Sequence, residues 1–143
     1  MILFGYITAV KAPKLKWLNK SMEEITLLEG SKNSIKLRCG MIEGNPKPNI
    51  QWFKDGKPIF PNENQLTAPN CKHAKDGMYF FTAGSRKDVI ICGDPLTFEA
   101  FSGRYTCRAE NKLGVDEIHS NIKILGKSSV YHFNTNLTQY NAF

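Results

Sequence analysis

Between Ser34 and Met41 apolar and polar residues take turns: Ile35, Leu37, Cys39 and Met41 fall on one side of an extended chain, Lys36 and Arg38 on the other. A period of two marks a strand with one face buried. Asn49–Lys54 carries the same mark, with Ile50 and Trp52 sharing a face. Met78–Ala83 and Asp88–Cys92, rich in aromatic and β-branched residues, flank the polar stretch Gly84–Lys87 and predict a hairpin. In Arg104–Glu110 the alternation sends Tyr105, Cys107 and Ala109 inward and Arg104, Thr106, Arg108 and Glu110 outward. Val115–Leu125 supplies a last strand, with Ile118, Ile122 and Ile124 as candidates for burial.

The breaks between these runs are turn chemistry. Gly44-Asn45-Pro46-Lys47-Pro48 reads as a loop, because two prolines and a glycine do not continue a central strand. Asp55-Gly56 reads as a tight turn, since glycine accepts positive φ at little cost. Phe60–Asn70 reads as an irregular surface loop, and Asn111–Gly114 turns the chain before the last strand. No helical period of useful length is present. Many short strands separated by turns predict an all-β sandwich or barrel.

The chain of 143 residues suits one domain with overhang at both ends. Residues 12–126 form the expected domain, and 127–143 a polar tail with scattered aromatics. Residues 1–11 open with an apolar run, MILFGYITAV. Its reading stays open between a signal-peptide remnant, an extra strand and an accident of where the chain was defined. No stretch approaches the roughly 20 apolar residues of a membrane span.

A formal net charge of +6 favours anionic partners: acidic proteins, heparan-type glycans or nucleic acid. Charge alone does not choose among them. The four cysteines, Cys39, Cys71, Cys92 and Cys107, include no CxxC pair, which argues for disulfides over zinc. Three pairings are open. Disulfides persist in oxidising compartments, which implies secretion or a cell-surface location. No nucleophile elbow, zinc-protease motif or phosphate loop occurs, and His73, His119 and His132 are scattered. No catalytic residue, metal site or cofactor is expected. Asn19-Lys20-Ser21 and Asn136-Leu137-Thr138 fit the N-glycosylation pattern, making Asn19 and Asn136 candidate acceptors.

Cys39 on an alternating strand, Trp52 on the next, and Cys107 on a late strand with Tyr105 two residues before it form one constellation. With GNPKPNIQWFKDGKPI and SGRYTCRAENKLG, it resembles an I-set immunoglobulin domain over about Ala12 to Leu125. The second immunoglobulin domain of fibroblast growth factor receptors is similar in GNPKPNIQWFKDG and GRYTCRAENKLG. That of neuregulin-type growth factors is similar in GSKNSIKLRC, WFKDG and NKLG. The resemblance implies an immunoglobulin-like Greek-key β-sandwich of two antiparallel sheets. It also implies a Cys39–Cys107 bridge between them, with Trp52 packed beside it and Tyr105 at a corner. Cys71 and Cys92 are then left to each other, in an enlarged loop between Phe60 and Pro95.

The function implied is an extracellular protein–protein interaction module of a receptor, adhesion or matrix protein. Its partner is an extracellular ligand or receptor, and neither nucleic acid nor membrane is expected. A secreted neuregulin-type signalling ligand and a heparin- or growth-factor-binding receptor-like domain are the alternatives. The chain departs from the family in two ways. Phe101 stands where an aspartate usually pairs with an arginine, and Met22–Gly30, which matches a lysine-rich heparin-binding run in the receptors, carries Glu23, Glu24 and Glu29. Two candidate surfaces follow. Arg104, Arg108 and Glu110, with Lys112 in the adjoining turn, form the outward face of the late strand. Lys14, Lys16, Lys36 and Arg38 form a basic set that is either a glycan site or a solvated face.

Overall fold

The computed structural model describes residues 9–19, 21–60, 71, 76–83 and 86–126. In chain order the elements are β1 (Lys11–Trp17), β2 (Glu24–Leu28), β3 (Ser34–Asn45), β4 (Asn49–Lys54), β5 (Lys57–Pro58), β6 (Gly77–Ala83), β7 (Arg86–Cys92), α1 (Phe98–Phe101), β8 (Gly103–Asn111) and β9 (Gly114–Leu125). They form a four-stranded sheet in the order β1-β3-β7-β6 and a five-stranded sheet in the order β2-β9-β8-β4-β5. The pairs are antiparallel except β2 and β9, which run parallel from Glu24↔Asn121 to Leu28↔Leu125.

The expected sandwich stands. Inward residues from both sheets interdigitate: Leu15, Ile35, Leu37, Val89 and Ile91 from one, Ile50, Trp52, Tyr105, Ala109, Ile122 and Ile124 from the other. Cys39 and Cys107 bridge the sheets, and Trp52 sits beside them at 1% exposure. Trp17 packs on Trp52 at 6.0 Å between ring centroids. Its Nε1–H is satisfied by the His119 carbonyl at 3.1 Å. The Tyr105 hydroxyl donates to the Phe101 carbonyl at 2.8 Å, which ties β8 to the corner before it. Burial, with the nearby Asp55 charge, pushes that phenol well above its usual pKa. At the β4–β5 turn Asp55 and Gly56 both have positive φ, as a two-residue hairpin of type I′ requires.

Several details differ from the sequence reading. β3 does not stop at Met41 but runs to Asn45, because Lys11 and Lys14 of β1 pair with Asn45 and Glu43. Arg86 and Lys87 belong to β7, paired with Ala83 and Thr82, and not to the hairpin turn. A single helical turn, α1, was not legible as a period. Thr97 caps it, accepting from the Ala100 amide at 3.4 Å. Phe101, in the place of the family's aspartate, is buried at 4% exposure and fills the lower core with its ring.

The expected second disulfide is present: Cys71 and Cys92 are bonded. Cys92 lies on the expected hairpin strand, β7, which is interior to its sheet, so the bridge reaches a central strand and does not staple only an edge loop. Val89 and Ile91 of β7 point into the sandwich, so Ile90 and Cys92 stand on the outer face of the sheet. There they form a second small cluster with Tyr79 and Cys71, all at 7% exposure or less. The loop Phe60–Asn70 beyond Phe60, residues 1–8, and the tail 127–143 with Asn136 lie outside the described residues.

Candidate binding face

β8 lies between β9 and β4, so its outer face is the middle of a broad surface. Cross-strand register sets the neighbours: Thr106 stands opposite Phe53 on one side and His119 on the other, and Arg108 opposite Gln51 and Glu117. Phe53, Arg104, Thr106, Arg108, Glu117 and His119 line a shallow depression of about 350 Å³.

The charges in it are unequal. Arg108 is held by Glu110 at 2.9 Å and by Glu117 at 3.5 Å. Glu117 also approaches His119 Nε2 at 3.9 Å. Arg104 makes no ion pair among the described residues. Its backbone is fixed instead: the Arg104 amide donates to Asp55 Oδ1 at 2.9 Å, and the Asp55 amide donates to the Arg104 carbonyl at 2.8 Å. That amide, aided by Lys54, holds the Asp55 carboxyl below its usual pKa. The face thus presents one exposed guanidinium, without an ion pair among the described residues, on a hydrogen-bonded strand beside a half-buried aromatic ring.

The sequence reading placed Arg104, Thr106, Arg108 and Glu110 on one outer face, and that placement holds for the backbone. Thr106 is nonetheless buried, at 8% exposure, because His119 covers it and its hydroxyl meets His119 Nδ1 at 2.8 Å. Lys112 is exposed in the turn and does not reach the depression. Phe53, Glu117 and His119 were missed. Their signal was available in period two, which turns Glu117 and His119 outward once Ile118 and Ile122 turn in.

The basic set is brought together on the outer face of the other sheet, with Lys14 and Lys16 on β1 and Lys36 and Arg38 on β3. It is not a free cationic patch. Arg38 Nε lies 3.2 Å and Lys36 Nζ 3.9 Å from Oδ2 of Asp88, which is fully buried on β7. Burial raises the Asp88 pKa in spite of both cations. Two of the four charges therefore serve a buried carboxylate. Asn19 is half-buried just after β1, with its Oδ1 fully covered and unpartnered. Among the described residues no cluster of His, Cys, Asp or Glu could hold a metal, and no helix is long and apolar enough to cross a membrane.

A model of the immunoglobulin domain family matches residues 12–111. Mouse pro-neuregulin-2, membrane-bound isoform, is 30% identical over 112 residues, covering 78% of this chain and 12% of that protein. Chicken fibroblast growth factor receptor-like 1 is 34% identical over 92 residues, 64% of this chain and 15% of that protein. The muscle M-line assembly protein unc-89 of Caenorhabditis elegans is 34% identical over 83 residues, 58% of this chain and 1% of that protein. The chain thus spans a small part of each. Among solved structures, the titin Ig tandem A164-A165 superposes with a TM-score of 0.59 at 16% identity, over 82% of this chain and 51% of that one, a likeness of fold alone. Both expected neighbours, neuregulin and the growth factor receptor type, are among these relatives. The chain belongs to the immunoglobulin domain family.

Proposed function

We propose that this domain is an extracellular protein-interaction module that binds a protein partner through the outer face of its five-stranded sheet. The observation that carries the reading is the depression between β4, β8 and β9. There Arg104, without an ion pair among the described residues, stands beside the Phe53 ring on a hydrogen-bonded scaffold. Arginine and aromatic side chains supply much of the energy of protein interfaces. A partner carboxylate for Arg104 and an apolar side chain for Phe53 make the complementary surface. Two disulfides support an oxidising compartment, as does the similarity to a membrane-bound neuregulin isoform.

The test is binding of the fluorescently labelled domain to intact cells. Wild type should bind saturably. Arg104→Glu should weaken binding about tenfold or more, as loss of a charged hydrogen bond does. Lys32→Glu, an exposed change in the turn before β3 and off this face, should leave it intact. Undiminished binding by Arg104→Glu, with loss on changes in residues 61–70, would place recognition in the insertion.

A second reading is favoured by one finding, the similarity to the muscle protein unc-89. In that reading the domain is a structural link in an intracellular assembly. Thiol mapping of protein taken from its native tissue separates the two: four free thiols favour the muscle-type role, and two intact bridges the extracellular one.

A further inference from the structure

We propose that the cleft between β4 and the β6–β7 hairpin is a binding site for a small apolar carboxylate, separate from the face described above. The cleft lies at the side of the sandwich. β5 pairs with Phe53 and Lys54 of β4, and among the described residues no strand pairs with the Asn49–Gln51 half on that edge. The space between this half and the opposite sheet measures about 400 Å³, within the roughly 300–1,000 Å³ of ligand pockets.

Three features specify what would fill it. Ile50, Ile59, Phe60 and Phe80 supply apolar walls. Phe60, at the rim, is 89% exposed, an aromatic ring left in water at the mouth of an apolar cleft. Trp52 also lines the cleft, is 1% exposed, and its Nε1–H is buried with no hydrogen-bond partner among the described residues. A buried donor without an acceptor carries an unmet desolvation cost, which an oxygen brought to it as the cleft fills would offset. Among the described lining residues Lys87 alone is charged, with Nζ 5.3 Å from the centre of the Phe80 ring. It makes no ion pair among the described residues. An apolar body, an oxygen acceptor and a negative charge are the complement of these three, and an arylalkyl carboxylate combines them.

The two tryptophans of this chain make the test internally controlled. Trp17 Nε1–H already donates to the His119 carbonyl, whereas Trp52 Nε1–H has no acceptor among the described residues and can donate to a new one. The experiment is a two-dimensional nitrogen–proton NMR titration of the full chain with 4-phenylbutyrate and with its neutral amide. The expected result is a saturable shift of the Trp52 indole and of the Ile59 and Phe80 amides, with the Trp17 indole unmoved. The neutral amide and Lys87→Met should each bind about tenfold more weakly, the loss of one charge-assisted hydrogen bond. Lys123→Met should bind as wild type. The proposal is overturned by no saturable Trp52 shift below about 10 mM, by equal movement of both indoles, or by Lys87→Met binding unchanged.

Discussion

Gly93 and Phe101 are in direct contact. A Cβ added at Gly93 would stand 2.6 Å from Phe101 Cε2 and 3.0 Å from Leu96 Cδ2. Both neighbours are nearly inaccessible, at 4% and 1% exposure, so neither has room to retreat. The ring that replaces the family's aspartate therefore demands a residue without a side chain across from it.

Gly93→Ala is expected to destabilise the domain by about 1–3 kcal/mol, the usual cost of overpacking a filled core. Phe101→Leu in the same chain should recover part of that loss. Urea melts of the two single variants and the double variant measure the coupling, and strict additivity would refute the contact.

Trp52→Ala should cost about 3–5 kcal/mol, as truncation of a buried tryptophan does. Trp17→Ala should cost less, because Trp17 is half-buried on an edge strand. With the rings 6.0 Å apart, the double variant should lose less than the sum, since the pair term of about 0.5–1.5 kcal/mol is counted once. Equal single losses would show that the core is not centred on Trp52.

The two bridges close loops of different size, 68 and 21 residues apart in sequence. On the chain-entropy account, replacing Cys39 and Cys107 by alanine should cost roughly 4 kcal/mol, and replacing Cys71 and Cys92 roughly 3 kcal/mol. Guanidinium melts of the two double variants decide the order. The second pair should also raise the solvent accessibility of Tyr79, read by its susceptibility to nitration.

Asp88 gives a pH signature. Its raised pKa means that the folded chain holds the proton more tightly than the unfolded one. Such a group adds stability below its unfolded pKa, about 3.9, and loses it as pH rises through the higher folded value. Relative to Asp88→Asn, wild type should be most stable in acid and should lose ground toward neutrality. Arg38→Met removes the closest counter-ion and should cost roughly 3 kcal/mol at neutral pH, and less once Asp88 is protonated. Melts across the carboxylate range test both. A pH-independent cost for Arg38→Met would mean that the pair contributes only packing.

Arg104 and Arg108 should separate in stability as well as in binding. Arg104→Glu meets no carboxylate partner and should shift stability by less than about 0.5 kcal/mol. Arg108→Glu places a third carboxylate between Glu110 and Glu117 and should lower the melting temperature measurably, by an amount that shrinks in high salt. Equal melting temperatures for the two variants would contradict the ion pairs described here.

The period-two runs located β3, β4, β8 and β9 because each of these strands has one wet face. β7 broke the pattern: Val89, Ile90, Ile91 and Cys92 are all buried, so no alternation was there to read. That uninterrupted apolar run was itself the signal that both faces are covered. β2 was missed because it is five residues long with only Ile25 and Leu27 half-buried, and its parallel pairing comes from β9 across nearly the whole chain. At the candidate face, the outward set on β8 was legible from a single strand. Phe53, His119 and Glu117 became its neighbours only through register, which local pattern does not carry.

The second disulfide makes β7 unlike any other strand. Hydrogen-bonded to β3 and β6 on its two edges, it faces the sandwich core on one side, and on the other its own Ile90 and Cys92 are buried with Cys71 and Tyr79. Solvent reaches its amides only when two apolar layers and two ladders part together. In heavy water these should be the last protons the domain surrenders, and so the place where its global stability is read.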